Sequence, residues 1–403
     1  LAVVTAPPGA GGGAHRAASR GENRTAILLG LAQTLAWATT YYLPAVVAPA
    51  VLAETGGDPT LVYGAFSVAL LISGLAAPRT GRLIEQRGGR PILLASAVVL
   101  AAGLALLGLL PGLWGWALGW VVLGFGMALG LYEAAFATLG VLFGRGARRP
   151  ITIVTLLAGF ASTLGWPLSA VLVPWLGWRG TCLAYAALLL VTLLPLYALL
   201  PRTAAPTVAA AAAAETATLP TAWVRRSLIL LGLFFTLRAV ISATLSVHLI
   251  ALLGGLGLTV AGAVAVAALQ GPSQVGGRLL EFTLGRAAHP LVVARLGGVL
   301  LPAGAALLML AGPVAALPFV VLYGASNGIM TISRGAVPLA LFGARGYPVL
   351  MGRLALPILL AQAAAPAVTA PLVAGLPAAT VLGLAGLLAA VALGCLVPLR
   401  AAP

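Results

Sequence analysis

Apolar stretches of about twenty residues or more follow one another along most of the chain, and this restricts its fold more than any motif does. A helix rises about 1.5 Å per residue, so each stretch crosses the roughly 30 Å hydrocarbon layer of a bilayer. No strand-like alternation recurs through them. Of 403 residues only 7% are charged, against roughly 25% in a soluble domain, so there is too little polar surface to coat a water-soluble globule. Gly and Pro, at 51 and 28 residues, are better tolerated in lipid-embedded helices than in soluble ones. The chain therefore reads as an all-α polytopic membrane protein.

The apolar runs lie at about 25–52, 58–77, 91–111, 113–143, 151–176 and 180–200. They resume at about 227–253, 257–276, 291–311, 313–343, 348–374 and 377–398. Arg placement tests these twelve spans independently. All 22 basic residues are Arg. With the N-terminus inside, the cytoplasmic segments hold Arg16, Arg20 and Arg24; Arg79, Arg82, Arg87 and Arg90; Arg145, Arg148 and Arg149; and Arg202, Arg225 and Arg226. The second half adds Arg278, Arg286, Arg295, Arg345, Arg353 and Arg400, while the opposite side holds Arg179 alone. Basic residues gather in cytoplasmic loops, and one span more or fewer would switch the side of every later loop. Both termini are thus expected in the cytoplasm and the chain in the inner (plasma) membrane.

The net charge of +15 does not point to nucleic acid, because the Arg residues lie in short clusters with no aromatic-lined basic face. The absence of Lys excludes a P-loop ATP motor and a Schiff-base Lys. Cys182 and Cys395 fall inside apolar runs and read as small core residues. His15, His248 and His289 lie far apart, so neither a metal nor a cofactor is expected. Gly324-Ala325-Ser326-Asn327-Gly328 matches a nucleophile-elbow pattern, but that chemistry needs a strand-turn-helix context. Here the context is a continuous apolar helix, and small residues in a packed helix explain the match.

Residues 1–24, Gly/Ala-rich and basic, read as a disordered cytoplasmic tail. Residues 25–200 form one six-span half, 201–226 an Ala/Thr/Pro-rich cytoplasmic linker, 227–398 the second half, and 399–403 a short tail. The halves repeat each other. Gly81-Arg82-Leu83-Ile84-Glu85 follows the second span and Gly277-Arg278-Leu279-Leu280-Glu281 the eighth. Leu142-Phe143-Gly144 matches Leu341-Phe342-Gly343, and Pro167 matches Pro366. Matches in order at a near-constant offset indicate duplication.

The loop after the second span, GRLIEQRGGRPIL, resembles the signature of the major facilitator superfamily through Gly81, Leu83, Gly88, Arg90 and Leu93. Glu85 stands where the family has Asp, Gln86 replaces a basic residue, and Gly89 replaces one of a basic pair. A softer resemblance to the monocarboxylate-porter-like branch covers 145–188. The resemblance implies alternating access of the two halves, with Gly81, Glu85 and Arg90 forming a conformational latch. Arg278 with Glu281 would form a second latch in the other half. It also implies that the first, fourth, seventh and tenth spans line a central cavity.

Three charges lie near the midplane, where each costs at least about 2.5–3.5 kcal/mol on insertion scales. They are Glu133 in the fourth span, Arg238 in the seventh and Arg334 in the tenth, all on spans that the resemblance assigns to the cavity. Arg238 and Arg334 are candidates to hold an anionic group, and Glu133 to be the proton-coupling carboxyl. A structural ion pair between the fourth and tenth spans is the alternative for Glu133. Weaker substrate-binding candidates are Gln33, Trp37, Tyr41 and Tyr42 in the first span, Gln270, Ser273 and Gln274 in the eighth, and Asn327 in the tenth. The expected function is secondary, proton-coupled transport of a small organic anion by a monomer. Efflux of a lipophilic drug is the rival within transporters, and a non-transporting receptor or scaffold is the rival outside them.

Overall fold

The computed structural model describes residues 10–202, 221–284 and 288–400. Residues 1–9 of the expected tail, most of the linker, and Arg286 lie outside the described residues. Every regular element among the described residues is helical.

Twelve spans result. The first half begins with a first span of two helices, Ala10–Thr39 and Pro44–Thr55, then Pro59–Arg87 and Gly89–Leu109. The stretch Gly112–Ala198 is apolar over 87 residues, and left-handed glycines at Gly144 (φ 54°) and Gly177 (φ 68°) cut it into the fourth, fifth and sixth spans. In the second half, Thr221–Gly255 is the seventh span, and Val260–Ala268 with Gln270–Leu284 the eighth. The 53-residue stretch Pro290–Phe342 turns at Gly312 (φ 67°) to give the ninth and tenth. Tyr347–Gly375 and Ala378–Leu396 complete the set. Backbone polar groups in lipid must be satisfied internally, which is why the turns fall at span ends.

Two expected boundaries move. The first helix extends back to Ala10, into the segment read as a disordered tail, and the seventh begins at Thr221, inside the expected linker. Local chemistry explains the starts of several spans. Asp58 caps the second by accepting from the Thr60 N–H at 2.7 Å, Thr259 caps the eighth, and His289 caps the ninth through Nδ1. Such caps are worth about 1 kcal/mol each.

Four spans are interrupted within the membrane: the first at 40–43, the fourth at Leu131, the fifth at 159–160 and the eighth at Leu269. Broken spans of this kind are admitted only where the freed groups find partners in protein or line a cavity. At the fourth span the carbonyl of Gly130, freed by the break, accepts from Gln33 Nε2 at 2.6 Å.

The halves meet mainly at the end of the bundle that carries the basic loops, here called the basic face. The second span packs along the eleventh, and the helices Tyr132–Phe143 and Arg148–Ala158 pack on the eleventh, tenth and eighth. Gly81 and Gly352 make the second and eleventh spans' crossing possible, because a Cβ on either would strike backbone of the facing helix at Pro348 or Ala77. At the opposite end, Pro44–Thr55 and Val260–Ala268 pack chiefly within their own halves. The bundle is therefore closed at the basic face and parted at the other.

Candidate functional site

The interrupted spans surround a polar and aromatic cluster at mid-depth. Glu133 stands in the first turn of the helix that restarts after the break at Leu131, where the positive end of the helix favours a carboxylate. It pairs with Arg334 of the tenth span, which ties the two halves together across the cavity. Both side chains keep partial exposure, 14% for Glu133 and 21% for Arg334. The structural pairing is thus present, and it involves the same two residues offered as coupling carboxyl and anion ligand. Glu133 also borders a narrow gap between the second, fourth and eleventh spans, lined in part by Thr80, Gly81, Pro348 and Gly352.

Arg238 is different. It is 5% exposed and no carboxylate pairs with it among the described residues. Nη2 donates to Asn327 Oδ1 at 2.9 Å and Ser326 Oγ at 3.1 Å. Nε and Nη1 have no hydrogen-bond partner. Asn327 in turn donates from Nδ2 to Ser242 Oγ at 3.4 Å, Ser326 donates to the Gly297 carbonyl at 2.7 Å, and Tyr323 donates to the Ser242 carbonyl at 3.4 Å. These neighbours hold one nitrogen of the guanidinium and leave the other two unsatisfied, a costly arrangement for a buried charge.

Aromatic rings form the facing wall. Trp37 lies 4.7 Å from Tyr41 and 4.8 Å from Tyr132, ring centre to ring centre. Tyr42 meets Trp166 edge-on at 5.6 Å, and Tyr132 stacks on Phe136 at 5.1 Å. Tyr41 accepts from Gln362 Nε2 of the eleventh span, a second link between halves. The Gln270 carbonyl lies against Gly324, next to Tyr323, whereas Gln274 and Ser273 are half-buried farther along the same helix.

One candidate also repairs the fold. Gln33 is fully buried; its Nε2 satisfies the Gly130 carbonyl of the broken fourth span, and its Oε1 has no partner among the described residues.

The latch residues also separate. Glu85 is exposed and sits 3.9 Å from the Cβ position of Gly346, the N-cap of the eleventh span in the other half. Arg90 donates to the Leu200 carbonyl at 3.4 Å and so caps the sixth span of its own half. Glu281 does not pair with Arg278. It pairs with Arg148 Nη2 at 2.8 Å and accepts from Thr152 Oγ1 at 3.4 Å, both at the start of the fifth span. Arg148 Nη1 donates to the Ala288 carbonyl at 2.7 Å. Arg278 is 6% exposed and abuts Gly159 at the break in the fifth span.

The sequence reading missed Tyr132, Tyr323, Ser242, Arg148 and Gln362. Gln362 carries a usable signal, as the one amide in the eleventh apolar run. In the sequence Arg148 reads as a topology charge, which gives no reason to seek its partner.

A profile described as Major Facilitator Superfamily matches residues 29–366. The chain belongs to this superfamily. The resemblance stated from the loop after the second span is therefore correct, and the all-α, two-half transporter fold with it. Among solved structures, the human organic anion transporter MFSD10 (TETRAN) is 18% identical with a TM-score of 0.74, over 93% of this chain and 99% of that one. The Escherichia coli fucose:proton symporter FucP is 15% identical with a TM-score of 0.67, over 91% and 97%. A FucP structure in the outward conformation scores 0.65 at 15% identity, over 92% and 97%. At such identities the likeness establishes the fold. No curated protein matches the chain. Superfamily membership makes the chain a multi-pass membrane transporter of small molecules.

Proposed function

We propose that this transporter carries a small organic anion, coupled to protons, by alternating access. The observation that carries the reading is Arg238: a permanently charged guanidinium, 5% exposed, with two nitrogens that no atom of the described residues satisfies. An anionic group entering the cavity supplies an acceptor for an unmet N–H and the opposite charge. The substrate class printed for MFSD10 agrees with this reading.

The Glu133–Arg334 pair offers the coupling. While Glu133 is ionised it occupies Arg334. Protonating Glu133 removes that charge and frees the guanidinium to share the anion, so proton and anion favour the same loaded state. The anion then replaces Glu133 as the counter-charge between halves, which lets the bundle close over it. The Arg-rich face is the cytoplasmic face by charge bias, which makes the conformation outward-facing in the plasma membrane.

A thermal-shift screen of the purified transporter against organic anions and common cationic drugs tests this, repeated on Arg238→Ala and Arg334→Ala. Stabilisation by anions that is lost in Arg238→Ala is the expected result. Stabilisation by cations alone, indifferent to both substitutions, would replace the reading with drug efflux. Proton coupling is read in proteoliposomes, where Glu133→Gln is expected to abolish accumulation driven by a pH gradient. Unchanged accumulation eliminates that role.

A further inference from the structure

The anion site at Arg238 leaves one buried charge unused. The Arg278 Cα lies six residues from Leu284, where the eighth span ends at the basic face, or about 9 Å inside it. A snorkelling Arg would turn toward that face. Arg278 turns inward. Its Nη1 abuts Gly159, eleven residues beyond Arg148 along the fifth span, or about 16 Å in. A Cβ at Gly159 would collide with Nη1, so this glycine makes the slot that holds the guanidinium. Tyr42 and Tyr132 of the aromatic wall lie within its electrostatic reach.

No carboxylate pairs with it among the described residues. Arg278 is 6% exposed, its Nε has no hydrogen-bond partner, and Glu281 is taken by Arg148. The duplicated position, Arg82, is exposed, so burial at 278 is not a requirement of the repeated motif. The cavity thus holds Arg334 balanced by Glu133, and two guanidinium groups, Arg238 and Arg278, with no counter-charge among the described residues. Two uncompensated charges in a low-dielectric interior call for two negative charges on what binds there. Gln270, whose carbonyl lies against Gly324 next to Tyr323, lies eight residues before Arg278 on the same span, about 12 Å along it. Turned inward against Gly159, the Arg278 guanidinium reaches back over part of that distance.

We propose that the substrate is a compact organic dianion of the dicarboxylate type. Arg238 holds one anionic group, and Arg278, seated against Gly159, holds the second and selects dianions over monoanions. The inference rests on the anion reading of Arg238 and extends it to a second subsite.

Thermal shift of the purified full chain is measured at constant ionic strength with linear dicarboxylates from malonate to adipate, each against the monocarboxylate of equal length. At least one dicarboxylate is expected to half-saturate at a concentration about tenfold lower than its monocarboxylate. Arg278→Gln is expected to erase that preference while the monocarboxylate response persists. Gly159→Ala keeps every charge but displaces the guanidinium, and is expected to reduce the preference as well, which carries the test if Arg278→Gln does not fold. Equal half-saturation by the two series, or a preference that survives both substitutions, overturns the dianion and leaves the monoanion site standing. Response to neither series removes both.

Discussion

Two five-residue segments, Gly81–Glu85 and Gly277–Glu281, differ at a single letter and do opposite things. In the first half, Arg82 and Glu85 are exposed while Ile84 is fully buried. In the second, Arg278 and Glu281 are 6% and 5% exposed, and Leu279 and Leu280 are about half exposed, 49% and 51%. The eighth span presents its charged stripe to the interior and the second presents it outward. Each carboxylate still lies at the start of a helix in the opposite half: Glu85 near Gly346 of the eleventh span, Glu281 on Arg148 of the fifth. Duplication preserved the acidic contact across the halves. It did not preserve the setting of the Arg, which is buried against Gly159 in one copy and exposed in the other. Equal letters at equal spacing fix a helix turn, and the neighbouring spans decide which face is buried.

That contrast leads to graded expectations. Replacing Arg278 by Gln should reduce transport by about tenfold or more, since a charge-assisted contact is lost, whereas Arg82→Gln should stay within about twofold. Parallel uptake measurements check this, and equal losses would make the two segments equivalent after all. Next comes closure of the basic face. Glu281→Gln removes an ion pair that is buried on the carboxylate side and 21% exposed on the Arg148 side, worth on the order of 2 kcal/mol after that exposure is discounted. Glu85→Gln removes only an exposed charge near a helix start, about 0.5 kcal/mol. Spin labels at Gln86→Cys and Arg345→Cys, both exposed positions in opposite halves, should report a larger open fraction for Glu281→Gln.

Glycine substitutions separate the segments in another way. Gly81 faces the Pro348 backbone across the two halves, whereas Gly277 faces the Ala325 backbone within one half. Overpacking costs about 1–3 kcal/mol at either site. Gly81→Val should therefore open the basic face with little loss of thermal stability, and Gly277→Val should lower the melting temperature without changing the distance distribution.

The smallest expected effect is in pH. His289 caps the ninth span beside the Ala288 carbonyl that Arg148 holds. Burial, with Arg148 and Arg295 nearby, pushes its pKa below the usual imidazole value. The folded state then binds the proton less readily than the unfolded chain does. Stability from this group is present above the ordinary imidazole pKa and declines as pH falls through and below it. The corresponding cap in the first half is Gly88, which does not titrate. His289→Asn keeps a capping acceptor and should flatten the melting temperature between about pH 7 and pH 5, by a few tenths of a kcal/mol at most.

Much of this was legible in the sequence. Apolar run length and Arg placement give twelve spans because the bilayer imposes a length on every helix and a side on most charges. Glu133, Arg238 and Arg334 stand out because intramembrane charge is costly. The breaks at Leu131 and Leu269 left no signal, since a span interrupted at mid-depth is as apolar as a continuous one. That concealed one reason Gln33 is polar: its amide nitrogen satisfies the Gly130 carbonyl. Arg278 was misplaced for a related reason. Six residues from a span end, a long side chain can turn either way, and only the slot at Gly159 decides.

The central claim is that Arg238 carries an unmet charge that substrate satisfies. The direct measurement is the binding isotherm of the most stabilising carboxylate for the unmodified transporter and for Arg238→Gln. The account predicts a loss of about a hundredfold, since truncating a buried charged contact costs about 2–5 kcal/mol. Affinity unchanged within about twofold, in a variant that melts as the parent does, would contradict it.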